Sequence, residues 1–173
     1  GYEWCAWIGD CVMASNERIG LAPVRSQLDN GVVVLAKHTG TTPAVTVQAS
    51  LTAGTVYDPP SAHGVSHFVS RTIDRGTIDR SAGDIAEDLD GRAVSLTVGV
   101  SRHTLSLTCT CLVDDLDAVL AVLANIIMYP AFHDEEVGTR RTEIVTMIRQ
   151  DEDSPAVMAS EGLLELLYGA EHP

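Results

Sequence analysis

The chain has 173 residues, 45% of them hydrophobic, and a formal charge of -13 at pH 7. That much apolar material can bury a core, while so acidic a balance excludes nucleic acid as the main partner, because a phosphate backbone demands clustered Lys and Arg. The longest nearly apolar run, Ala118 to Met128, falls short of the ~18 residues a spanning helix needs, so no membrane span is expected.

Residues 1–24 read as an irregular arm and 25–173 as one domain. The opening "GYEWCAWIGDCVMA" lacks a basic start, and Glu3 and Asp10 interrupt it, so it does not read as a signal peptide; a cytoplasmic location is expected. Asp29, Asn30 and Gly31 signal a turn, and the β-branched run from Val32 to Lys37 predicts a strand. The period-two pattern from Ala44 to Gly54 predicts another, with Val45, Val47, Ala49 and Leu51 on one face. The "TVYDPPSAHG" loop sets the entry to a helix from about Ala62 to Asp74, for which Ser61 is the expected N-cap. A second helix runs from a Ser81 cap to a Gly91 terminator.

"AVSLTVGV" and "TLSLTCTCLV" form an antiparallel hairpin turning around Ser101 to His103. Cys109 and Cys111 share a strand face with Leu105 and Leu107, which suits small buried side chains better than metal ligands; Cys5 and Cys11 complete no zinc spacing with them. "DDLDAVLAVLANIIM" predicts an amphipathic helix with acids where the helix dipole favours them, ended by Pro130. "HDEEVGTRRTEIVTMIRQDED" predicts a long polar helix, and Ser154 and Pro155 open a last one. The order is strand, strand, helix, helix, strand, strand and three helices. That is an α+β domain, an antiparallel or mixed sheet with helices packed on it.

The phrase "GVSHFVSR", Gly64 to Arg71, puts His67, Ser70 and Arg71 on one face of the first helix. With "LDNGVVVLAKH", "AGTVYDPPSAHGVSHF", "RGTIDRSAGDIAEDLDGRAVSLTVGVSRHT" and "RRTEIVTMIRQDEDSP" in this order, the chain from Leu28 to Pro173 resembles the N-terminal domain of pitrilysin/insulinase-type zinc metallopeptidases, the inverzincins, which include the mitochondrial processing peptidase. The resemblance implies a LuxS/MPP-like metallopeptidase fold. It also implies a motif H-x-x-E-H, whose two His bind zinc and whose Glu is the general base, with a second Glu on a later helix.

Here His67 occupies the first ligand position, Ser70 the base and Arg71 the second ligand. Thr146 and Met147 stand where the later Glu is expected, with Glu143 about one turn away. Catalytic zinc takes three protein ligands and an open position for water. A guanidinium offers no lone pair, and a serine hydroxyl stays protonated near neutral pH. No bound zinc, no other cofactor and no catalytic residue are therefore expected. The simpler reading of Arg71 is an ion pair filling the former metal position.

The resemblance implies a non-catalytic subunit or domain that binds peptide and pairs with an active homologous metallopeptidase subunit, or with a C-terminal half that this sequence does not contain. The alternative is a structural scaffold subunit of a larger complex. An active peptidase would need an unusual metal shell from His63, His67 and Glu143, of which His63 and His67 have helical i, i+4 spacing.

Overall fold

The computed structural model describes residues 23–40 and 42–169. The expected arm up to residue 22, Cys5 and Cys11 within it, and His172 lie outside the described residues. The chain divides into a unit of residues 1–44 and one of residues 45–173.

In the first unit, β1 (Val24–Gln27) pairs antiparallel with β2 (Val33–Ala36), in a register that sets Val24 opposite Ala36 and Gln27 opposite Val33. The turn is the expected one. Leu28 N–H donates to Val32 O and Gly31 N–H to Leu28 O, both at 2.9 Å, and Gly31 takes φ +87°, a left-handed conformation that glycine adopts without a Cβ penalty. β1 was not foreseen. Val-Arg-Ser-Gln carries one apolar residue, too few to show a period, and the ladder to β2 rather than burial defines it.

The second unit holds a three-stranded sheet in the order β3-β5-β4, from β3 (Ala44–Leu51), β4 (Ser95–Val100) and β5 (Leu105–Leu112). β4 and β5 are the predicted antiparallel hairpin, closed by Ser101 N–H donating to Thr104 O at 2.8 Å. Period two decides which face is dry. Leu105, Leu107, Cys109 and Cys111 of β5 are all buried, and Val45, Val47, Ala49 and Leu51 of β3 pack against the same core. On the opposite face the Thr46 and Thr110 hydroxyls bond to each other at 2.9 Å.

Helices cover the dry face. α1 (Val65–Thr72) contributes Val69, and Ile73 follows it; α2 (Ala82–Gly91) adds Ile85 and Leu89, and α3 (Leu116–Met128) adds Val119, Val122, Leu123 and Ile126. α2 opens on the expected Ser81, in a reciprocal box with Asp84. It is not ended by Gly91, which stays helical. The reversal falls to Ala93 at φ +53°, just after the Arg92 C-cap. α4 (Asp134–Glu152) packs on α1, and α5 (Pro155–Tyr168) packs on α4. Neither α4 nor α5 contains a buried residue, so the core is the sheet with α1, α2 and α3. No helix among the described residues is long and apolar enough to cross a membrane.

Candidate functional site

The site is built on α1, and the loop before α1 fixes where that helix starts. Thr55 N–H donates to Ser101 O at 3.1 Å and Val56 N–H to Arg102 O at 3.0 Å, which ties the loop to the β4–β5 turn. The approach is so close that a Cβ at Gly54 would overlap the backbone of Arg102 and His103. From there Asp58 reaches forward. Its carboxylate accepts from Gly64 N–H at 2.8 Å, from Ser66 N–H at 3.0 Å and from the Ser66 hydroxyl. These are N–H groups that a helix start leaves without partners. The Ser66 hydroxyl above all, and then the two amides, hold the Asp58 carboxyl below the usual carboxylate range against its partial desolvation.

The expected helix start is thereby corrected. Ser61 is not the cap; Gly64 is the N-cap residue, at φ +88°, and the side chain that caps belongs to Asp58. α1 runs only over Val65–Thr72, shorter than the span expected from about Ala62 to Asp74. His63 consequently lies in the turn before the helix and does not form a helical i, i+4 pair with His67. The "DPP" loop does set the entry to the helix, as expected, through the aspartate rather than the serine.

Along α1 the side chains divide by face. His67 and Arg71 are exposed, whereas Ser70 is buried. The Ser70 hydroxyl donates to His67 O, one turn back in its own helix, at 2.7 Å. The ion pair expected for Arg71 is absent: it pairs with no carboxylate among the described residues. The nearest acid in sequence, Asp74, is taken by Arg75 at 3.3 Å.

α4 forms the facing wall. Ile144 and Ile148 stand across from Val65, His67 and Phe68 and enclose with them a cleft of about 440 Å3, reached also by His63. Thr146 is not part of that cleft. It lies on the neighbouring strip of α4 with Thr142, Glu143 and Met147, along a broad open surface. Its hydroxyl donates back to Thr142 O at 2.9 Å. Glu143 is exposed and engaged by Arg140 at 2.6 Å.

A zinc ion tests this donor set. No three His, Cys, Asp or Glu side chains come together among the described residues, so His63, His67 and Glu143 are not gathered into a shell. Cys109 and Cys111, the other soft donors described, are buried in the core, and desolvation raises both thiols. The residues at the motif positions do not fit the metal.

The structure is a sheet with helices packed on one face, the first of them carrying His67, Ser70 and Arg71. The family model "Insulinase (Peptidase family M16)" matches residues 33–171, and the chain belongs to that family. It is 24% identical over 145 residues to the uncharacterized zinc protease YmxG of Bacillus subtilis, covering 84% of this chain and 36% of that protein. It is 25% identical over 151 residues to the mitochondrial-processing peptidase subunit alpha of Solanum tuberosum, covering 86% of this chain and 29% of that protein. Among solved structures, a peptidase M16 inactive domain from Pseudomonas fluorescens shares the fold at a TM-score of 0.80 and 20% identity, over 87% of this chain and 37% of that one. The chain thus spans about a third of the length of the relatives it matches.

Proposed function

We propose that this chain is the N-terminal, non-catalytic part of an insulinase-family subunit, and that it binds peptide and pairs with a catalytically competent homologue. The observation that carries this reading is the side-chain set on α1. An imidazole, a buried hydroxyl and an exposed guanidinium stand at 67, 70 and 71, where metal chemistry needs two imidazoles and a carboxylate. The hydroxyl is committed to the helix backbone, and a guanidinium repels a divalent cation as well as lacking a lone pair. Thr146 supplies no carboxylate from α4 either. Likeness to a peptidase subunit alpha supports the pairing, and the cleft between α1 and α4 supports the binding.

A scaffold role within a larger assembly is the second reading. It is favoured by the exposed leucines of α5.

Equilibrium dialysis of the whole chain against zinc tests the first reading. The expected result is no stoichiometric metal; one zinc per chain that disappears in His67→Ala overturns it. Ser70→Glu alone is expected to hydrolyse no peptide, since Arg71 and Thr146 still withhold donors. Measurable turnover by that variant also overturns it.

A further inference from the structure

The cleft between α1 and α4 joins two chemistries. Val65 and Phe68 on one side and Ile144 and Ile148 on the other make apolar walls, and His67 lines the same space. The cleft is a shallow groove of about 440 Å3, open to solvent along Val65 and Ile148. Arg71 stands four residues beyond His67 and three beyond Phe68, the two spacings that make neighbours on a helix surface. It is exposed and has no carboxylate partner among the described residues. Arg71 is not itself in the lining of the cleft; helical spacing sets it one turn along α1 from His67 and Phe68. In a sequence with 24 acidic side chains against 11 Lys and Arg, a cation with no carboxylate partner among the described residues is available to an incoming anion. A guanidinium takes a carboxylate through two parallel N–H bonds, and an imidazole can add one further N–H.

We propose that this cleft binds the free C-terminal end of a peptide whose last side chain is apolar. The side chain lies between Phe68 and the two isoleucines, and the terminal carboxylate meets Arg71 and His67. A C-terminus suits the arrangement better than an internal acidic residue. Its carboxylate and its apolar side chain leave the same Cα, so they reach a slot and a cation that adjoin each other; an aspartate or glutamate offers no apolar group at that distance. The inference rests on the peptide-binding reading above and narrows it, because an internal segment carries no such carboxylate.

Fluorescence anisotropy on the full chain tests it, with a short N-terminally labelled alanine peptide ending in leucine and its C-terminal amide as the two probes. The acid is expected to bind about tenfold more tightly than the amide, the scale of one charge-assisted hydrogen-bonded pair at an exposed site. Arg71→Gln is expected to bring the acid down to the amide, and Ile148→Asn to weaken both. Arg71 and Ile148 are exposed, so both variants fold, which thermal melting checks. Equal binding of acid and amide, or a preference that survives Arg71→Gln, overturns the inference and leaves peptide binding standing. An unchanged acid affinity in Ile148→Asn removes the apolar half and overturns it too. No binding of either peptide overturns both the inference and the peptide-binding reading.

Discussion

Asp58 sits six residues before Gly64 and eight before Ser66, yet it satisfies the N–H groups of both. A carboxylate at a helix start has two favourable terms, the direct hydrogen bonds and the positive end of the helix dipole. The hydrogen bonds favour the charged form over the neutral one, that of the Ser66 hydroxyl most and then those of the Ser66 and Gly64 amides, which is why the folded carboxyl ionises at lower pH than a free one. The sign of the pH effect follows. A depressed folded value stabilises the native state above the unfolded value, about 3.9 for Asp, and that stabilisation is lost as pH falls from there through the lowered folded value. Asp84 and Asp88 are lowered in the same direction, by Ser81 and by Arg92 with Arg80, so the acid limb is shared. Asp58→Asn is expected to lower the melting temperature at pH 7 and to make the loss of stability below about pH 4 shallower. Melting curves from pH 7 down to the acid transition measure both effects. An acid limb as steep as that of the parent chain would show that the cap adds nothing.

α1 owes its position to a contact made before it begins. Gly54 has φ -89° and ψ 177°, values open to any residue. The cost of a side chain there is therefore steric, because the atoms it meets are the backbone of Arg102 and His103 and cannot rotate aside. Gly54→Ala is expected to cost about 1–3 kcal/mol, as overpacking does, and to release the Thr55 and Val56 hydrogen bonds to the hairpin turn. Urea denaturation gives the cost, and faster hydrogen exchange at the amides of Thr55, Val56, Gly64 and Ser66 gives the release. The same element marks how far the sequence can be read. Helical period alone puts positions 67, 70 and 71 on one helix, but it does not show that Ser70 is buried while His67 and Arg71 are exposed. The alternation that buries Leu105, Leu107, Cys109 and Cys111 is local and legible. Ser61 satisfied the local rule for a cap, but the cap comes from across a loop. Gly91 satisfied the local rule for a stop, but Ala93 takes the left-handed turn. The Ile144 and Ile148 wall of the cleft depends on how α4 packs against α1, which no spacing within either helix encodes.

At the scale of the molecule, charge and apolar surface oppose each other. α5 leaves Leu163, Leu164, Leu166 and Leu167 at 57%, 54%, 87% and 64% exposure, and Val145, Met147 and Ile148 of α4 are exposed as well. Apolar faces of this kind associate. A formal charge of -13 resists association by repulsion between like molecules. Salt weakens that repulsion, since the screening length falls from about 10 Å at 0.1 M to about 3 Å at 1 M, but leaves apolar burial in place. Sedimentation velocity at fixed protein concentration is therefore expected to show self-association that rises with sodium chloride. Replacing Leu166 and Leu167 together by Glu is expected to abolish it while changing stability by no more than about 0.5 kcal/mol per site, since both side chains face solvent. If screening alone controlled association, the variant, two charges more acidic, would still associate at high salt. Its staying monomeric there isolates the α5 leucines as the cause, and its associating like the parent would remove them.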